Sequence, residues 1–282
     1  MGIPYGMFDK ERTAREVRAA RNLETVYHAG QRKIWNGQEV LAQLVEKHGV
    51  PDLPPDKLNA LKRIFSIIMW GEMAAWKISA ELAADLEPME ARMAATSQAH
   101  DEARHFYVMH DYLQHLGYEP GPLGGAADRL LTAVVDTGSL TRKLLGMQLM
   151  VEPVAITLFQ TVRQSGVEPV LCELLSFYER DEARHIALGV NYLPDLLNSM
   201  SYSDLLLLWS WQLRLLFLQV DELKELEDDL RLLGIDPLAV FEVAEAKQIK
   251  ALEETLEHTG IPYLIEPFKY AVRLKRDRIF SG

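Results

Sequence analysis

Apolar positions recur at helical spacing along almost the whole chain, and no stretch alternates apolar and polar residues for long enough to argue a sheet. The pattern predicts an all-α protein. Arg12 to Lys47 reads as a mixed polar helical region, followed by a proline-rich break, VPDLPPD, from Val50 to Asp56. Leu58 to Leu86 reads as one long helix. Pro88 suits the first turn of the next, which should run to about Leu116. GYEPGPLGG, Gly117 to Gly125, is the clearest loop, and a shorter helix should follow it. Ser139 is a candidate cap for a long helix reaching about Gln164 and ended by Ser165 and Gly166. Pro169 should open a further helix that ends near Tyr192, with Pro194 as its breaker. Ser203 to Leu232 and Pro237 to His258 read as two more helices. The tail holds Pro262, Pro267 and a basic stretch, Lys269 to Arg278.

The most apolar run is Leu205 to Val220. Its length approaches a short membrane span, but Gln212 and Arg214 interrupt it. It reads as a buried helix or an oligomer interface, with no stable membrane insertion and a homodimer as the expected assembly.

A repeat changes the picture from generic helices to chemistry. DEARHFYVMHDYL (Asp101 to Leu113) and DEARHIALGVNYL (Asp181 to Leu193) share seven of thirteen positions at an offset of 80 residues. Such a repeat of one helical hairpin is how a pseudo-symmetric four-helix bundle arises. Each copy places a Glu and a His three apart, on one helix face: Glu102 with His105, and Glu182 with His185. The matching extends upstream. Glu72 precedes Glu102 by 30 residues, and Glu152 precedes Glu182 by 30.

Glu72 and Glu152 lie in apolar runs, where an unpaired carboxylate is costly to bury. Four carboxylates converging in a core would repel one another by several kcal/mol per pair. Two divalent cations cancel four negative charges, and two neutral imidazoles add none. The balance itself points to two metal ions held by Glu72, Glu102, His105, Glu152, Glu182 and His185. Carboxylate-rich sites with one imidazole per ion suit iron or manganese better than structural zinc.

The bulk numbers narrow the class. The chain has 282 residues, 48% hydrophobic and 25% charged, enough for one large helical domain. A net charge of -11 argues against nucleic-acid binding and is compatible with a basic protein partner. The single cysteine, Cys172, excludes an intrachain disulfide and any Cys-based zinc or iron–sulfur site, and a cytoplasmic location is the default. The opening MGIPYGMFDKERTAR has no apolar run suited to a signal peptide, and Gly6 stands where a myristoylation motif has Ser or Thr.

A Glu on each of two helices, with Glu-x-x-His on each of two others, is the pattern of ferritin-like di-iron or di-manganese bundles. From Leu58 to Leu193 the chain resembles the ferritin-like diiron carboxylate superfamily, in its oxygenase, desaturase and ribonucleotide-reductase-small-subunit branch. The resemblance implies a four-helix bundle core at about 58–193 within a single domain, 1–282, flanked by helices at 12–48 and 203–258. It matches the six ligand positions residue by residue.

Asp101 and Asp181 precede the ligand glutamates by one residue. Metal-bound histidines usually donate their other ring N–H to such groups. Across a pseudo-twofold bundle Asp181 can reach His105, and Asp101 can reach His185. The resemblance adds Arg104 and Arg184 to this network; a solvated face of ordinary Asp–Arg pairs is the alternative. Tyr178 shares the ligand face one turn before Glu182. It is the candidate catalytic tyrosine, as a pocket wall, a partner of a ligand or a redox group, against the alternative of a packed core residue. Tyr112 and Tyr192 read as structural. Trp70, Trp76, Phe106 and Phe159 read as core, with a pocket wall as their other use.

The resemblance implies a non-haem dinuclear iron enzyme, with manganese as an alternative metal, that uses O2 to hydroxylate, N-oxygenate or desaturate a small, largely hydrophobic organic substrate. The alternatives are a radical-generating subunit and ferritin- or rubrerythrin-like iron oxidation or peroxide scavenging. Radical subunits usually carry a tyrosine where this chain has Met109, and arylamine N-oxygenases a histidine where it has Tyr178. No Gly-rich flavin fingerprint or Cys cluster is present, so an external reductase or ferredoxin is the expected electron donor.

Overall fold

The computed structural model describes residues 14–257, 259 and 265–280, so the expectations for the opening segment, for His258 and for Pro262 lie outside the described residues. The described residues form helices α1 (Ala14–Arg32), α2 (Gly37–His48), α3 (Pro55–Asp85), α4 (Met89–His115), α5 (Gly125–Val135), α6 (Leu140–Leu144), α7 (Glu152–Ser165), α8 (Pro169–Asn198), α9 (Tyr202–Glu225), α10 (Glu227–Leu232), α11 (Pro237–Leu256) and α12 (Ile265–Phe280), and no strand. A π-helical stretch, Leu145–Val151, joins α6 to α7 without a break. The punctuation follows local chemistry. Asn36 accepts a bond from the Glu39 N–H and starts α2, dividing the first polar region into two helices. Ser139 caps α6 through the Arg142 N–H, and Glu168 caps α8 through the N–H groups of Val170 and Leu171. Gly166 closes α7 at φ 64°, a conformation that favours glycine.

Two boundaries differ from the sequence expectation. α8 does not stop near Tyr192 but runs through Pro194 to Asn198. Pro194 removes one backbone donor, yet Leu193, Pro194 and Leu197 are all buried, and that packing holds the helix together across the missing bond. The expected helix from Ser203 to Leu232 is two, broken at Leu226, whose φ of -94° and ψ of 0° leave the helical region.

α3 with α4, and the α6–α7 helix with α8, make two hairpins that pack into the bundle through α4 and α8. α1 and α2 lie against α4 and α8, while α9 and α11 lie against the π stretch and α11 also covers α7 and α8. The core is two apolar clusters with a polar layer between them. Along α3, Ala60 to Met69 belong to one cluster and Ala74 to Leu86 to the other, with Glu72 at the boundary. α4 changes cluster between Ala95 and Val108, the α6–α7 helix between Met150 and Leu158, and α8 between Tyr178 and Leu188. Those four boundaries are where the repeat puts its acidic and histidine residues.

The helix most apolar over a membrane-spanning length is Leu140–Ser165, not Leu205 to Val220, and 72% of its apolar window is buried inside the protein. It is a core helix. Within α9, Leu206, Leu207 and Phe217 are exposed, whereas Leu205, Leu208, Leu215 and Leu216 are buried.

α8 approaches the π stretch closely at Gly189, where a Cβ atom would lie 2.7 Å from Gln148 Cβ. Gly189→Ala should therefore overpack this crossing and lower stability by about 1–3 kcal/mol, read as an earlier denaturant midpoint. An unchanged midpoint would show that the two helices part freely.

Candidate metal centre

The long helices deliver their polar residues to one buried point. Glu72 comes from α3, Glu102 and His105 from α4, Glu152 from the start of α7, and Glu182 and His185 from α8, all buried. They form two overlapping groups: Glu72, Glu102, His105 and Glu182, and Glu102, Glu152, Glu182 and His185. Within each group one ligand atom per residue lies within 4.8 Å of the others.

The shared glutamates divide their oxygens. Glu102 turns Oε1 to His185 Nδ1 at 2.9 Å and Oε2 to His105 Nδ1 at 3.6 Å. Glu182 turns Oε1 to His105 Nδ1 and Oε2 to His185 Nδ1, each at 3.1 Å. Glu72 stands on the His105 side, at 3.3 Å. Each imidazole therefore presents Nδ1 to the cluster. Its Nε2 faces the other half of the repeat: His105 toward Asp181 Oδ2 at 3.3 Å, and His185 toward Asp101 Oδ2 at 3.5 Å.

A square of opposite charges fixes those two aspartates. Arg104 donates to Asp101 Oδ1 at 2.5 Å and to Asp181 Oδ2 at 2.9 Å, and Arg184 donates to Asp101 and Asp181 at 2.8 Å each. All four are buried, not a solvated face. His185 and the neighbouring charges hold Asp101 at about 2 even though burial opposes its ionisation, and Asp181 is lowered further.

Tyr178 is fully buried and stacks on His105, with ring centroids 4.2 Å apart and planes at 18°. Its hydroxyl donates to the His105 carbonyl at 2.6 Å. It thus braces a residue of the cluster and is not on the wall of the cavity described below. Tyr112 donates to Glu168, the α8 cap. Met109 is buried in the apolar cluster beyond His105.

Three residues that sequence reasoning missed complete the layer. Gln98 donates to Glu152 at 2.7 Å and to Glu102 at 3.3 Å, and Gln148 donates to Gln98 at 3.3 Å. Each stands four residues before a cluster glutamate, so helical spacing alone could have flagged them. Trp35, between α1 and α2, donates its indole N–H to Asp181 at 2.7 Å and lies beneath the Arg104 guanidinium. No spacing rule links it to the repeat.

The π stretch sets Glu152. Its N–H reaches back five residues to the Met147 carbonyl, and Pro153 next to it has no N–H to donate. The Met150 carbonyl is also held by side-chain amides from outside the bundle: Gln219 on α9 and Gln248 on α11, both at 2.7 Å.

Electrostatically the cluster is unfinished. Burial pushes Glu72 and Glu152 well above the usual carboxylate range, and the neighbouring carboxylates add to it. Burial would lower His105 and His185, but the surrounding carboxylates raise both. Glu102, close to both imidazoles, is lowered against its own burial. Three oxygens, Oε2 of Glu102, Oε2 of Glu152 and Oε1 of Glu182, are buried without a hydrogen-bond partner. Such orphaned acceptors are costly unless a cation meets them. Oxygen and imidazole donors arranged in two overlapping groups fit two metal ions.

A cavity of about 100 Å³ opens onto the cluster, with Glu72, Glu102, Glu152 and Glu182 in its wall. Most of the remaining wall is aliphatic, from α3, α5, the π stretch, α7, α9, α10 and α11, and Trp70, Trp76, Phe106 and Phe159 are not part of it.

No family model matches the sequence, and no curated protein matches it. Solved structures do. A Synechococcus protein with aldehyde deformylating oxidase activity superposes with a TM-score of 0.63 at 18% identity, over 77% of this chain and 97% of that one. A variant of an R2-like ligand-binding oxidase with a reconstituted Mn/Fe cofactor gives 0.54 at 16% identity, over 98% and 96%. A further structure of an R2-like ligand-binding oxidase gives 0.53 at 16%, over 91% and 92%. The fold is the ferritin-like helical bundle that these structures share. In this ferritin-like bundle both hairpins contribute equally to the cluster, while α9 and α11 close the cavity beside it.

The Asp–Arg square gives a direct test. Asp181→Ala strands Arg184 and Arg104 with fewer acceptors in a buried site, and should cost about 3–5 kcal/mol of stability even in metal-free protein. A loss below about 1 kcal/mol by chemical denaturation would show that the square carries little of the fold.

Proposed function

We propose that this chain is a dinuclear metal oxidase that activates O2 to oxidise a small apolar molecule. The observation that carries the reading is the pair of glutamates, Glu102 and Glu182, whose oxygens are divided between the two imidazoles at the mouth of an aliphatic cavity. In this reading Glu72 and His105 would help hold one ion and Glu152 and His185 the other, with Glu102 and Glu182 common to both groups. The carboxylate-rich donor set favours iron, with manganese possible at one or both positions; similarity to structures named as oxidases, two of them with a Mn/Fe cofactor, supports it. When bound, the metal pair supplies reducing equivalents to O2, chemistry that side chains cannot perform.

The protein's own residues position and enclose. Asp181 and Asp101 accept from the Nε2 sides of His105 and His185, which keeps each Nδ1 lone pair aimed at the cluster. Arg104, Arg184 and Trp35 hold the aspartates. Tyr178 acts as a positioning residue on His105, and Gln98 on Glu152. The aliphatic walls exclude water from the reacting face and select an apolar substrate. Electrons come from a separate reductase or ferredoxin, for which the acidic surface suits a basic partner.

Protein loaded without oxygen should hold close to two iron or manganese ions per chain by elemental analysis. His105→Ala and Glu182→Ala should each lower this sharply, and Asp181→Asn should weaken metal affinity about 10- to 100-fold. Reduced protein should then consume O2 faster when an apolar substrate is present. One zinc per chain, or accumulation of many ferric ions per chain with no substrate effect, would overturn the assignment.

A further inference from the structure

The cavity wall carries two polar side chains besides the four cluster glutamates: Gln219 and Glu222, both on α9. Gln219 is fully engaged, donating to the Met150 carbonyl and accepting from Gln248. Glu222 is different. It is half-buried and lines the cavity. No side chain among the described residues donates to it. The basic groups nearby are committed elsewhere: Lys275 bonds Asp221, Arg129 faces Glu225, and Lys224 pairs with Glu227. No Lys, Arg or His lines the cavity.

An apolar pocket with an unpartnered carboxyl outside the metal-binding cluster is an unfinished ion pair. A ligand that filled the aliphatic walls but offered nothing to Glu222 would bury that group at a cost. A carboxylate ligand would meet a like charge. A cationic nitrogen would satisfy both demands, because a charge-assisted bond in a dry pocket is strong and directional. We propose that Glu222 recognises a basic nitrogen on the substrate, so that the cavity takes an apolar molecule bearing an amine. The inference rests on reading this cavity as the substrate pocket of the dinuclear centre.

The electrostatics agree with that geometry. Burial, with Glu225 adding, raises the Glu222 carboxyl to about 7. The other charged groups around the cavity are Glu72, Glu102, Glu152 and Glu182, while α5, α10 and α11 contribute Leu130, Leu131, Leu230 and Val240. Because the folded state holds this proton more tightly than the unfolded chain, stability declines as pH rises from the ordinary carboxylate range through about 7. Glu222→Gln escapes that decline. It should melt no lower than wild type at pH 8, and its advantage should grow between pH 5 and pH 8.

The decisive measurement is calorimetric titration of metal-loaded, full-length protein at pH 8 with n-octylamine, octan-1-ol and octanoate. Wild type should bind octylamine at least about tenfold more tightly than octanol, and octanoate most weakly. Glu222→Gln and Glu222→Leu should bring octylamine down to the level of octanol and leave octanol within about twofold. Equal binding of amine and alcohol by wild type, or tighter binding of octanoate, overturns the proposal. So does octylamine affinity that survives in Glu222→Gln, which would place the nitrogen on the metal ions. If octanol binds but nothing depends on Glu222, this inference falls alone. If none of the three binds, the reading of the cavity as an apolar substrate pocket falls with it.

Discussion

Burying four carboxylates at one point is the constraint on which the rest of the structure depends. Left as anions without cations, they would repel one another and forgo their hydration. The fold meets this in layers. Two imidazoles face the oxygens from within the cluster. Behind each imidazole an aspartate is held by two arginines, a square with no net charge. Apolar clusters above and below that layer exclude water and hold the four helices at fixed separations. The cluster itself keeps three orphaned oxygens, which no hydrogen-bond donor of the protein meets.

Much of this was legible because it is periodic. Glu102 with His105 and Glu182 with His185 are fixed by helical spacing, and the matched intervals back to Glu72 and Glu152 turn two local motifs into a statement about four helices. Contacts that depend on chain crossings were harder to read. Trp35 reaches Asp181 across 146 positions, and nothing in its own segment announces it. Pro194 misled for a related reason: a local rule about backbone donors lost to the burial of its neighbours. Glu222 was hidden because an acidic residue in a run of mixed polarity reads as surface until the wall of a cavity claims it.

The repeat also exaggerates the symmetry. Gln98 and Tyr178 occupy equivalent positions one turn before the paired glutamates, yet one donates to carboxylates and the other to a backbone carbonyl. Met109 and Gly189 are equivalent too; the first fills an apolar cluster, and the second yields space to the π stretch. The extra backbone atoms of that stretch occur in only one of the two hairpins among the described residues. The two halves therefore offer unequal surroundings to two otherwise matched ligand sets.

Gln219 ties the outer helices to this asymmetry. The same amide that steadies the Met150 carbonyl forms part of the cavity wall. The helix that walls the cavity thus also steadies the backbone leading into Glu152, although it contributes no cluster residue of its own.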